Sequence, residues 1–161
     1  MIDESEFNHN PTDSRDIDGG KLASFEKAKE AVENGEGDGL GFAVTRHDPF
    51  LVLEIINGLQ GDELAPTVEA ILDALGVSFT ERDDEGLIRV IYRGELPGEL
   101  HGGDPVVITL GGKPENHVLR FFDSGWTPIT GRHISGTPED VKDVNQDALA
   151  RILSKAGKYD E

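Results

Sequence analysis

Apolar residues fall along the chain in runs whose period changes from helical to strand-like and back. Leu22, Phe25, Ala28 and Val32 recur at helical spacing behind Ser24, a candidate N-cap, until Asn34 and Gly35, which predicts a first helix. LGFAVT (40–45) and FLVLEII (50–56) are short runs of strand formers separated by His47-Asp48-Pro49, and they predict two neighbouring strands. Pro66, then Val68, Ile71, Leu72 and Leu75, then Gly76, predict a second helix of about three turns. VSFTER (77–82), LIRVIYR (87–93), VVITL (106–110) and HVLRFFD (117–123) read as further strands, divided by Gly, Pro, Asp and Asn turns. Thr137-Pro138-Glu139-Asp140 has the form of a helix start, and Val141, Val144, Ala148, Leu149, Ile152 and Leu153 would continue it on one stripe. This order predicts an α+β fold, a mostly antiparallel sheet with helices packed on one face.

The first 20 residues are polar and acidic with no apolar period, so the domain is expected to span 21–157, between an acidic tail (1–20) and a short tail (158–161). The chain has 161 residues, enough for one core. Acidic residues outnumber basic ones 32 to 15, for a formal charge of −17. Periodic apolar runs argue against a disordered acidic chain, which leaves a folded protein whose surface carboxylates are screened by molar salt. Such a domain is expected to loosen in dilute buffer. No cysteine is present, which excludes disulfides, thiolate metal sites and cysteine nucleophiles. No run approaches a membrane span and no signal peptide follows Met1, so a cytoplasmic location is expected.

Catalytic chemistry finds little to work with. Phosphoryl transfer through metal ions needs several converging carboxylates, yet Glu54 shares its strand face with Val52 and Ile56. Asp83, Asp84 and Glu85 belong to a turn. The five histidines include no pair at zinc-site spacing, and Ser124 sits in a DSGW turn rather than a nucleophile elbow. No metal and no cofactor is expected. Positive charge is more suggestive. Arg89, Arg93, Arg120 and Arg132 lie on or just beyond predicted strands, and mid-strand Arg89 and Arg120 need partners. These partners are either nucleic-acid phosphates on the open sheet face or internal acids such as Glu54. Trp126 is placed either to stack on a base or to pack at the core edge.

Several segments in order resemble the archaeo-eukaryotic-type primase-polymerase module of haloarchaeal plasmids and viruses: GDGLGFAVTRHDPF, RGELPG (93–98), the DSG turn (123–125), ITGRHISGTPEDV (129–141) and NQDALARIL (145–153). The resemblance covers about 115 to 130 residues and implies an RRM-like sheet core. In active members it implies a metal site that joins nucleotides. Glu54 and Ile56 stand where the family has paired aspartates, Arg89 where it has a histidine for the nucleotide phosphates, and Arg120 where it has a third acidic ligand. The resemblance therefore implies a catalytically inactive domain. It would bind nucleic acid through Arg89, Arg93, Arg120, Arg132 and Trp126, with single-stranded DNA or a replication protein as partner. An acidic protein-interaction module without nucleic-acid contact is the alternative. An active enzyme would need Asp104, Glu115 or Asp123 to converge on Glu54.

Overall fold

The computed structural model describes residues 30, 33–35, 40–110 and 117–160. The expected first helix and acidic tail lie mostly outside them, although the Asn34 N–H donates to the Glu30 carbonyl in a last helical turn, 2.9 Å away. The described chain runs β1 (Leu40–Val44), β2 (Phe50–Ile56), β3 (Leu59–Gln60), β4 (Glu63–Leu64), α1 (Pro66–Leu75), β5 (Phe79–Arg82) and β6 (Ile88–Arg93). After a 3₁₀ turn (Gly98–Leu100) come β7 (Val106–Leu110), β8 (His117–Phe122), β9 (Gly125–Ile129), β10 (Lys142–Asp143) and α2 (Gln146–Lys155).

One six-stranded sheet organises these elements, in the order β10-β6-β2-β8-β7, with β5 also on β6. Every pairing in it is antiparallel except that of β10 with β6. Since β2 occupies one side of β6, β5 and β10 share the other, β10 continuing the edge where β5 stops. The link from β2 through α1 to β5, with β6 between the two strands, is a split β-α-β arrangement. Among the described residues, no helix is long and apolar enough to cross a membrane.

Period-two alternation decides what each sheet face meets. Leu51, Leu53 and Ile55 of β2, Ile88, Val90 and Tyr92 of β6, and Leu119 and Phe121 of β8 form the main core with Val68, Leu72 and Leu75 of α1 and Ala148, Leu149 and Leu153 of α2. Helix α1 matches its expected bounds, with Pro66 in the first turn and Gly76, at φ 98°, ending it. The Tyr92 hydroxyl donates to the Gly76 carbonyl at 2.9 Å, and burial raises its pKa above the usual range. Packing continues through Tyr159, which lies against this core and against Gly98.

Three expectations need correction. Strands β1 and β2 are joined by a turn in which Asp48 accepts from the Thr45 N–H and hydroxyl, but they are not hydrogen-bonded neighbours. Instead β1 pairs with β9 in a separate ribbon, so the DSG turn opens a strand. The ribbon has its own small cluster of Val44, Val52 and Phe122, with Phe42 and Phe50 packed against it. Thirdly, the last helix starts at Gln146 and not near Thr137. The Thr137 hydroxyl donates to the Ile134 carbonyl and meets the His133 ring nitrogen, so it caps no helix. Lys142-Asp143 is drawn onto the sheet edge, where the Lys142 N–H reaches the Ser78 hydroxyl at 2.7 Å and the Val144 N–H reaches the Arg93 carbonyl at 2.9 Å. Asn145 then caps α2, accepting from the Ala148 N–H at 3.1 Å.

The RGELPG segment is the hub where these pieces meet. Its Gly94 N–H donates to the Pro49 carbonyl at 2.9 Å. A Cβ on Gly94 would lie 2.4 Å from a Val144 methyl group, so only glycine lets the junction of β10 and α2 come this close. Gln146 clamps the same segment, accepting from the Glu95 N–H and donating to the Glu95 carbonyl.

Candidate functional site

On the sheet face opposite the helices, antiparallel pairing sets four charged residues side by side across four strands. Arg120 of β8 lies opposite Glu54 of β2, Glu54 opposite Arg89 of β6, and Arg89 opposite Glu81 of β5. The signs alternate along the row. Arg89 sends one guanidinium nitrogen to Glu54 at 3.3 Å and another to Glu81 at 3.0 Å. Arg120 binds the second oxygen of Glu54 directly. Of the two kinds of partner expected for Arg89 and Arg120, the geometry shows the internal acid Glu54, and Glu81 is a fourth member the sequence reading missed.

Three of the four members are buried and closely matched. Arg89 is 2% exposed, Glu54 7% and Glu81 0%. Charges so removed from water are tolerated only where partners and hydrogen bonds replace solvation. Glu54 gains the Thr127 hydroxyl from β9 at 3.3 Å. Glu81 gains the N–H groups of Thr130 and Gly131, each at 3.1 Å. The ribbon and the ITGRH segment therefore close over the row and supply its remaining donors. The Arg89 Nε, buried, has no hydrogen-bond partner among the described residues.

Arg120 differs from Arg89. Its side chain is 41% exposed and its guanidinium lies 4.8 Å from the centre of the Phe122 ring, in a cation–π arrangement. The other arginines expected to bind nucleic acid do not join the row. Arg93, at the end of β6, pairs with Asp143 at 2.6 Å, and Arg132 pairs with Asp84. Both are largely exposed. Trp126 sits in the β1–β9 ribbon opposite Ala43, half-buried, with its indole nitrogen buried and without a hydrogen-bond partner among the described residues. Ile56, at the second aspartate position of the resemblance, is 44% exposed beyond the row.

No protein-family model matches the chain, and no curated protein matches it either.

A third buried carboxylate lies at the end of β8. Asp123 is fully buried and accepts from the Leu96 N–H at 2.9 Å, the Gly102 N–H at 2.8 Å and the His101 ring at 2.6 Å. The hydrogen bond to Asp123, together with the charges of Asp123 and Glu95 and a bond to the Arg46 backbone, raises the His101 pKa against a smaller desolvation effect. The oxygens of Asp123 are thus committed to the loop after β6. Among the described residues, no group of three or more His, Asp or Glu side chains converges in a way that could hold a metal ion.

Signals for the missed members were present but short. Residues 81 and 89 flank the Asp83–Leu87 turn symmetrically, so folding VSFTER back on LIRVIYR sets Glu81 against Arg89. Thr127 carried no such mark, because its strand holds Gly125 and Pro128.

Proposed function

We propose that this chain is a catalytically inactive, primase-polymerase-like domain that acts by binding, as a protein-interaction or regulatory module. The observation that carries the reading is the occupation of Glu54 by two guanidinium groups. A carboxylate that serves a divalent cation must offer its oxygens with other acids around the same point. Here one oxygen is bonded to Arg120 and the other to Arg89 and Thr127, and the neighbouring charges repel a cation.

The strand order β5-β6-β2-β8 with α1 crossing on one face supports the RRM-like part of this proposal. In such a β-α-β-β-α-β order a second helix would precede the fourth strand. Here β7 and a 3₁₀ turn stand in that place, and α2 follows the sheet. The protein-interaction reading gains from charge: Arg89, Arg93, Arg120 and Arg132 are each matched by a carboxylate, in a chain of net charge −17. A phosphate backbone would have to displace those acids to be bound.

Single-stranded DNA binding is the second reading, favoured by the exposure of Arg120 beside Phe122. Two assays test the proposal. The first measures template-dependent nucleotide incorporation with Mg²⁺ or Mn²⁺, expected to be nil; incorporation that vanishes in Glu54→Ala would overturn the catalytic part. The second is an electrophoretic shift with single-stranded DNA in molar KCl, expected to show none. A shift lost in Arg120→Ala would establish the nucleic-acid reading instead.

A further inference from the structure

We propose that β7 is a self-association edge, through which two copies of the chain pair their β7 strands antiparallel and join their sheets. Strand β7 ends the six-stranded sheet, bonded to β8 on one side only. Among the described residues nothing pairs with its outer side. Such an edge presents unpaired N–H and C=O groups, and folded proteins ordinarily blunt it with charge, proline or a bulge. Here the strand is Val-Val-Ile-Thr-Leu, without a charged residue or proline inside it.

The side chains point to a second copy as the occupant. Centring the pairing on Ile108 sets Val106 against Leu110 and Val107 against Thr109 of the second copy, and the reverse, so like faces meet and every residue finds a partner. Such a pairing satisfies the two-fold symmetry of a dimer. Charge argues the same way. The chain carries −17, so a different partner chosen by charge would seek carboxylates, whereas this uncharged edge is where two acidic copies repel least once salt screens the remainder.

The open face adds a reason to pair. Val107 is 45% exposed and Ile56 44%, two of the three exposed large apolar side chains among the described residues. Ile56 lies opposite Val118, and Val118 opposite Thr109, so a row of two aliphatic residues and a threonine runs from β2 to the sheet edge, with Val107 beside it opposite Arg120. Pairing would extend that row across the symmetry axis to Val107 of the second copy and cover part of both. The pairing rests on this edge alone and stands whether or not the chain binds nucleic acid.

Sedimentation equilibrium of the full chain in molar KCl tests it, over a range of concentrations. A reversible monomer–dimer equilibrium is expected, and Val107→Lys with Thr109→Lys should weaken it by at least about tenfold. Val77→Lys adds the same kind of charge at an exposed site before β5, outside the β7 edge, and should leave it nearly unchanged. Circular dichroism checks that each variant is folded. On the unaltered chain, amide hydrogen exchange in β7 should slow as concentration rises, which needs no variant. A monomer throughout, a dimer weakened equally by Val77→Lys, or β7 exchange indifferent to concentration would overturn the proposal.

Discussion

Along β2, Leu51, Leu53 and Ile55 turn toward the helices, while Val52 and Glu54 turn toward the ribbon, and the two faces of this one strand are buried by different physics. The helix face loses water against apolar neighbours, an attraction without direction that grows with area. The ribbon face holds a small apolar cluster beside a row of four charges, whose stability depends on each group keeping its particular partners. The first kind of interior loses stability in proportion to what is removed. The second loses little if its groups are exchanged together, and much if one is taken away.

Arg89→Ala should have the largest effect. It strands Glu81 in a buried setting and leaves Glu54 with Arg120 and Thr127 only, and urea unfolding in molar KCl should show a loss of about 4 kcal/mol, as for breaking a buried pair. Replacing Glu54, Glu81 and Arg89 together by apolar residues of similar size should restore much of that loss; a triple variant as unstable as the single one would break the comparison.

Leu53→Ala, from the same strand but the opposite face, should cost about 3 kcal/mol by the loss of buried methyl groups and the cavity left behind. No second substitution in the charged row should rescue it.

Arg120→Ala should cost less, about 1 kcal/mol, because Arg120 is 41% exposed and Glu54 keeps Arg89 and Thr127. A loss as large as that of Arg89→Ala would show that both ends of the row are equally indispensable.

The smallest effect concerns pH. His101 has its pKa raised from 6.5 by its hydrogen bond to Asp123, so protonation is favoured in the folded state. Its contribution is complete below the unfolded value of 6.5 and is lost as pH rises through the higher folded value. Melting temperature should therefore decline more on alkalinisation in the unaltered chain than in His101→Gln, followed by circular dichroism in molar KCl.

The helix face was legible in the sequence because its residues carry period and punctuation. Pro66 and Gly76 bracket α1, and the Val- and Ile-rich runs of β2, β6, β7 and β8 stand out from their turns. The ribbon face was legible in its charged members, Glu54, Arg89 and Arg120, whose mid-strand position demanded partners. What covers them was not. The two-residue strands β3, β4 and β10 are too short to show alternation, and β9 contains Gly125 and Pro128, which oppose strand assignment. The helix start expected at Thr137 failed because its hydroxyl is spent backward in a local turn on Ile134 and His133, and because Lys142 further on is held by Ser78, a partner distant in sequence that local pattern does not encode.

The charged row also discriminates between alternative ways of assembling the sheet. Sliding a strand by one position turns its apolar side chains to the wrong face and is penalised by hydrophobicity alone. Sliding it by two positions keeps every face correct, so the apolar pattern is blind to that mistake. The charges are not. A two-position slide of β6 on β2 would set Glu54 against Ile91 or Leu87, and the same slide of β8 would set it against Phe122 or Val118, where the present pairings offer Arg89 and Arg120. The first error takes Arg89 from Glu54 and the second takes Arg120 from it, so either breaks an ion pair of the row, a loss that apolar burial would not register. Alternating signs across four strands thus act as a parity check on the assembled sheet, rejecting misassembled states that period-two hydrophobicity would accept.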